Sequence, residues 1–304
     1  MIMGMILKHT IVTGAAGFIG QHLVRGLLAR GATVLAVDRR PVALDCEFLQ
    51  RDITEPGCLD RHLSPDSVLY HLAANASVPG SVDDPANDFS DNTIGVFQIL
   101  QSARRTGCQV VFTSSAAVYD VTNKLPLDES YPVRPSSPYG AAKVAGEAYC
   151  SAFHRSYGVP VKIARLFNSY GPGMVRFAMY DFVKKIKSDP NRLEILGDGQ
   201  QMRDYLYVED TVRALIQIAE RGVVGETYNV ASGEPITMLE VAQRVAALMD
   251  RADIQIETTG KSWPGDVARW YADIEKLQRL GFQPTVSWED GLQRTVQWLD
   301  ANLT

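Results

Sequence analysis

The feature that most limits how this chain folds is Gly14-Ala15-Ala16-Gly17-Phe18-Ile19-Gly20, with three glycines at three-residue intervals. Ahead of it, His9-Thr10-Ile11-Val12-Thr13 is β-branched and apolar, the composition of a buried strand. Behind it, Leu23, Val24, Leu27 and Leu28 recur at helical spacing, and Gly31 supplies a C-cap. Glycines so placed allow a tight turn and a close backbone approach, and the helix that follows presents its N-terminus to negative charge. The next strand, Thr33 to Val37, ends at Asp38, 18 positions past Gly20. An acidic side chain there is placed to accept from both ribose hydroxyls of an adenine dinucleotide. Strand, glycines, helix, strand and acid in this order predict a dinucleotide site, with Gly14, Gly17, Phe18, Ile19, Gly20 and Asp38 as contacts. Asp38 favours NAD over NADP. Arg39 and Arg40 weigh the other way, because either can meet a 2′-phosphate.

At 304 residues the chain is long enough to bury a sizeable core, as one large domain or two. Hydrophobic and charged fractions of 46% and 21% belong to a soluble globular protein. No apolar run reaches the roughly 18 residues that span a bilayer. A formal net charge of −5 argues against nucleic acid or anionic membrane as partners. Cys46, Cys58, Cys108 and Cys150 are scattered, without a C-x-x-C or a His-rich neighbour. They read as reduced thiols of a cytoplasmic protein, with no disulfide frame and no metal site. The apolar start from Met1 to Leu7 lacks a basic n-region and a cleavage site, so it is expected to lead into the first strand rather than act as a signal peptide.

Further contacts follow along the chain. Asp52-Ile53 comes after a short apolar strand and is placed to close over an adenine, although a plain turn aspartate explains Asp52 equally well. Ser67 to Ala74 reads as a buried strand whose end, Leu72-Ala73-Ala74, lets a cofactor lie against the backbone. His71 within it reads as a core histidine. A helix is expected from about Asp88 to Arg105, with Asn92 near its start as another cofactor contact. Gln109 to Thr113 is a strand running into Ser114-Ser115. A hydroxyl at a strand C-terminus sits where open parallel sheets place ligand contacts, and ordinary turn chemistry accounts for a serine-rich strand end as well.

Ser136-Ser137-Pro138-Tyr139-Gly140-Ala141-Ala142-Lys143 opens another helix. At a spacing of four, Tyr139 and Lys143 lie one above the other on one helical face. A phenol with an ordinary pKa near 10 is a poor base at neutral pH. An ammonium beside it is expected to favour the phenolate, which lets Tyr139 take a proton from a hydroxyl. Taken alone, the pair is equally an ordinary exposed helix face.

Taken together, several stretches resemble the extended short-chain dehydrogenase/reductases, and within them the nucleotide-sugar epimerases and dehydratases. They are Thr13 to Gly20, His71 to Ala74, Ser114 to Tyr119, and Tyr139 with Lys143. The resemblance continues through Arg165 to Gly173, Arg203 to Asp210, Pro264 to Val267, and Ala272-Asp273, so it covers nearly the whole chain. It implies an α/β fold, a Rossmann-type doubly wound parallel sheet holding NAD, with a smaller α/β C-terminal domain for a nucleotide-diphosphate sugar. The boundaries so implied are 1–166 and 167–304, with segments near 205–232 returning to the first domain. It implies Ser115, Tyr139 and Lys143 as the catalytic set. Asn168 would contact the sugar diphosphate, Arg203 would pair with its phosphates, and Tyr205 would stand at the substrate rim. A homodimer is implied as well, through the helices around 88–105 and 140–157.

The segment after Ser114 bears on the reaction. The family's 4,6-dehydratases carry Thr-Asp-Glu there, because eliminating water needs an added acid and base. Here the positions hold Ser115-Ala116-Ala117, and alanine moves no proton. The expectation is therefore 4-epimerisation of a UDP-hexose such as UDP-glucose or UDP-galactose through a 4-keto intermediate, with retained NAD. The alternatives are a nucleotide-sugar reductase, an atypical dehydratase, or a non-catalytic NAD-binding regulator. One departure stands out: the family's Arg-Pro-Gly-Asp is here Trp263-Pro264-Gly265-Asp266, so a phosphate contact is lost unless Lys261 or Arg269 replaces it. Trp270 resembles the family's pocket-size gatekeeper, which points to unacetylated sugars. Plain core packing beside Tyr271 is the other reading of that ring.

Overall fold

The apolar, β-branched runs of the first half become parallel strands. In a computed structural model, which describes residues 9–119, 124–261 and 268–303, these are β1 (His9–Thr13), β2 (Thr33–Asp38), β3 (Glu47–Gln50), β4 (Ser67–His71), β5 (Gln109–Ser115) and β6 (Val161–Leu166). Later strands are β7 (Asn168–Tyr170), β8 (Arg192–Ile195), β9 (Met202–Tyr207), β10 (Thr227–Val230), β11 (Pro235–Thr237), β12 (Gln255–Thr258) and β13 (Arg269–Trp270). Seven strands form one sheet in the order β10-β6-β5-β4-β1-β2-β3, all parallel. The chain starts at β1, winds one way to β3, then returns through β4 and winds the other way. This is the Rossmann-type doubly wound α/β fold, and its switch point between β1 and β4 opens a crevice at the strand C-termini.

The helices are α1 (Phe18–Ala29), α2 (Val78–Asp83), α3 (Pro85–Phe89), α4 (Gly95–Thr106), α5 (Pro138–Tyr157), α6 (Ala178–Ser188), α7 (Val208–Arg221), α8 (Met238–Leu248), α9 (Glu275–Gln278) and α10 (Trp288–Asn302). Alternation along the strands separates two cores. Val12, Ala36, Tyr70 and Val111 face α1 and α7, while Ile11, Leu35, Leu69 and Phe112 face α4 and α5. A sheet buried on both faces explains why these strands read as continuous apolar runs. Beyond the main sheet, β7, β9, β11 and β13 form a second sheet, and β8 pairs with β12. Helices α6, α8 and α10 cover this part through Phe182, Val183, Val241, Val245, Leu292 and Val296.

The helix expected over residues 88–105 differs in detail. It is α3, then a π-helical turn over Ser90–Ile94, then α4. Such turns concentrate at functional sites.

Candidate active site

A cleft of about 1010 Å³ runs across the C-terminal ends of the strands. Its first wall is the glycine turn. Gly14 takes φ +73, and a Cβ there would lie 2.6 Å from the Ala73 backbone nitrogen. A Cβ on Gly20 would lie 2.1 Å from the Gly14 carbonyl oxygen. The turn therefore closes tightly against the end of β4, where Leu72, Ala73 and Ala74 run along the cleft. Helix α1 starts there with Gly17 at its N-cap and no side-chain cap. Its first amides are thus left for an anionic ligand.

Asp38 stands at the end of β2 and accepts from the amides of Ala16 (3.0 Å) and Arg40 (2.9 Å). Arg39 is drawn away from it. Its guanidinium donates to Asp91 (2.6 Å), lies 3.8 Å from Asp52, and is held above its ordinary pKa mainly by the Asp91 bond. Asp52 caps its turn, accepting from the Thr54 amide and hydroxyl, and lines the cleft. The Thr54 amide holds its carboxyl below the usual range. Ile53 lines the cleft over Gly95, where a Cβ would meet its Cδ1 at 2.5 Å.

Asn92 lies elsewhere than expected. It is 1% exposed and is not among the described residues that line the cleft. Its side chain accepts from the Asn75 amide (2.8 Å) and donates to the Asn75 carbonyl (2.9 Å) and to Asp88 (2.7 Å). It fixes the loop after β4, and the π turn is what presents it there. His71 is a core residue: buried, bonded to Thr13 at 2.8 Å, stacked on Phe112, and pushed by burial to a pKa of about 3.

The chemistry-bearing end lies where β5 meets α5. Ser137 caps α5 by accepting from the Gly140 amide at 3.1 Å, Pro138 opens it, and Gly158 closes it in the left-handed region. Ser115 starts a 3₁₀ turn over Ala116–Val118 and faces the Tyr139 phenol. Lys143, 3% exposed, donates to the Thr113 carbonyl at 2.9 Å. Its Nζ lies 5.7 Å from the Tyr139 ring centroid. Ser115, Tyr139 and Lys143 all line the cleft together.

Their electrostatics correct one expectation. Burial pushes the Tyr139 phenol above its ordinary pKa, and the Ser115 hydroxyl and the charge of Arg176 only partly oppose this. Burial also pulls Lys143 down to about 8, against Asp88 and Glu147. For the phenol, desolvation outweighs the lowering that Ser115 and Arg176 supply, because its side chain lies inside the fold.

On the opposite side, Phe167, Asn168, Tyr205 and Trp270 line the cleft. Asn168 is oriented by donating to the Asp204 carbonyl at 3.1 Å, and Trp270 packs edge-on to Phe167. Arg203 and Arg269 stand on paired strands β9 and β13 but are not among the described lining residues, and Arg269 is exposed. Trp263 and the Pro264-Gly265-Asp266 stretch lie outside the described residues. Sequence reading missed Asp91, Arg176, Asp88 and the buried Glu147–Arg165 pair. Only the four-residue steps from Asp88 to Asn92 and from Lys143 to Glu147 hinted at any of them.

A Rossmann crevice with a Tyr-Lys pair over a glycine turn defines a nucleotide-dependent enzyme of the short-chain dehydrogenase/reductase type. The chain belongs to the NAD dependent epimerase/dehydratase family, whose model matches residues 10–231. It is 32% identical over 310 residues to a putative UDP-glucose 4-epimerase of Methanocaldococcus jannaschii, covering 96% of this chain and 98% of that one. It is 33% identical over 337 residues to the dTDP-glucose 4,6-dehydratase of Neisseria gonorrhoeae, covering 98% and 97%. The crystal structure of Thermus thermophilus UDP-glucose 4-epimerase in complex with NAD superposes with a TM-score of 0.87 at 31% identity, covering 97% and 100%. NAD is the cofactor, and the uncapped α1 terminus, the glycine turn and Asp38 fit it.

Proposed function

We propose that this enzyme is a 4-epimerase of a UDP-hexose. The observation that carries this reading is where the carboxylates of the cleft lie. Among its described lining residues these are Asp38, Asp52 and Asp91, each paired with Arg39 or Arg40. Around Ser115 the lining offers Ala116 and Ala117. Eliminating water from a sugar needs an acid and a base besides the oxidising pair. Epimerisation needs one base, one hydroxyl partner and a cofactor.

Bound in the crevice, the nicotinamide of NAD supplies reversible hydride acceptance at a sugar carbon. Tyr139 takes the proton of the C4 hydroxyl and later gives it back. Lys143 supports the phenolate, and Ser115 hydrogen-bonds the C4 oxygen throughout. Asn168 and Tyr205 hold the nucleotide side, Arg203 pairs with phosphate, and Trp270 bounds the sugar pocket. Two copies meet through α4 and α5, whose outer face exposes Tyr149 and Tyr157. Sedimentation at about twice the 33.5 kDa chain mass is the expected outcome.

Proton NMR of the purified protein with UDP-glucose, and separately with UDP-galactose, tests the reaction without added cofactor. Interconversion of the two is expected. Consumption of supplied NAD(P)H would instead make the enzyme a reductase, and loss of water to a 4-keto-6-deoxy sugar would make it a dehydratase.

A further inference from the structure

Asp88 is a carboxylate with no surface role. It is 1% exposed on α3, a helix that packs against α5 together with the π turn. Its bonded partner is the Asn92 amide, at 2.7 Å. Among the described residues it forms no ion pair, unlike the neighbouring Asp91, which Arg39 neutralises at 2.6 Å. Burial pushes this carboxyl above its ordinary pKa, and the Asn92 amide and the Lys143 charge oppose that; in its ionised form its field is poorly screened by the low dielectric around it.

Asp88 is the buried side chain of α3, and α5, on which α3 packs, carries Tyr139 and Lys143 among its own buried residues. Among the charges acting on Lys143, Asp88 is the strongest that favours the ammonium, ahead of Glu147 one helical turn further along α5. Glu147 is itself bound by side chains of the sheet. Arg165 grips both its oxygens, at 2.9 and 2.7 Å, and the Ser114 hydroxyl donates to it at 2.6 Å. The other ionisable groups facing Lys143 are Cys150 on α5 and the neutral His71 on β4. The groups facing Tyr139 are Ser115, Arg176 and Asp88 itself.

We propose that Asp88 is the buried counter-charge of the Tyr139–Lys143 pair, a positioning residue that keeps Lys143 an ammonium and sets the pH range in which the site works. This rests on the assignment of Tyr139 as the base. The sign is fixed by electrostatics. A negative charge stabilises the lysine ammonium and destabilises the tyrosine phenolate, so it raises both pKa values. Removing it lowers both, and the whole pH–rate profile moves to lower pH as one body. A loss of packing would lower the rate without moving the profile in this concerted way.

The test compares kcat/KM against pH for the wild type, Asp88→Asn and Asp88→Glu. Asp88→Asn retains the acceptor for Asn92 and removes the charge. Its profile is expected to shift acidward by about one pH unit, the order of effect of one charge several ångströms away at an effective dielectric of about 20. Asp88→Glu keeps the charge and is expected to leave the profile in place while changing the rate. Asp88→Ser serves as a second neutral variant should the asparagine variant not fold. Independently of turnover, the phenolate absorbance of each protein, taken as a difference against its Tyr139→Phe counterpart, is expected to titrate at lower pH without the Asp88 charge. A neutral variant whose profile and phenolate titration superimpose on the wild type overturns the proposal, whatever its rate. Full activity in Tyr139→Phe alone would instead remove the base assignment on which the proposal rests.

Discussion

Lys143 shows how a single residue can work against the fold that holds it. Among the described residues its Nζ has one bonded partner, the Thr113 carbonyl, and it lies 5.1 Å from the Phe112 ring centroid and 5.7 Å from that of Tyr139. An ammonium loses more hydration there than these contacts return, and its pKa falls from 10.5 to about 8. Linkage gives the consequence a sign. Between pH 8 and 10.5 the unfolded chain holds this proton and the folded chain does not, so stability rises with pH through that window. The gap is worth roughly 3 kcal/mol. Urea titrations of the wild type and Lys143→Met should therefore show the wild type gaining by about that amount, relative to the variant, from pH 8 to 10.5; a constant difference would refute it. At this scale the sequence was legible where chemistry is local: Tyr139 and Lys143 share a face by spacing alone. Their pKa values were not legible, because burial comes from Phe112, Thr113 and α3, which lie far away along the chain.

At the scale of the element, α5 is set by two glycines as much as by Tyr139 and Lys143. A Cβ on Gly140 would lie 2.4 Å from the Ala117 carbonyl oxygen, and one on Gly146 would lie 2.7 Å from the Phe112 ring. These absent side chains let the first turn of α5 lie directly against the Ser115–Ala117 turn. Gly140→Ala ordinarily favours a helix by about 0.5–1 kcal/mol, but here it must push the Tyr139 turn off the Ala116–Val118 turn. A misplacement near 1 Å costs on the order of 100-fold in rate. We expect kcat to fall by about that factor with an unchanged circular dichroism spectrum, whereas an unaltered kcat would show that α5 is not held by this contact. The bounds of α5 were readable because Ser137, Pro138 and Gly158 are local signals. The division of the expected 88–105 helix was not, because the π turn answers to Asn92 reaching the Asn75 backbone, a tie that periodicity along one helix cannot reveal.

Across the whole molecule, the doubly wound order places both halves of the chemistry at one edge: the glycine turn after β1, Ser115 after β5, and Asn168 at the start of the second sheet. The proposed epimerisation requires the hydride to return from the same cofactor that received it, so under that reading NAD has to outlast each turnover. The structure supplies grounds for retention. Asp38 is locked by two amides, the Arg39–Asp91–Asp52 cluster ties the end of β2, the loop after β3 and the π turn together, and Asn92 pins the loop after β4. Ligand bound only to the folded state stabilises it by about 4 kcal/mol at 1,000 times its Kd. Protein stripped of NAD should therefore unfold several degrees below the purified form and regain the difference when NAD is restored. Acid extracts of the untreated protein should release close to one NAD per chain. Protein that purifies without dinucleotide, and whose melting temperature NAD leaves unmoved, would contradict retention: the cofactor would then exchange with solvent between half-reactions, and the same fold would be suited to one-way reduction rather than epimerisation.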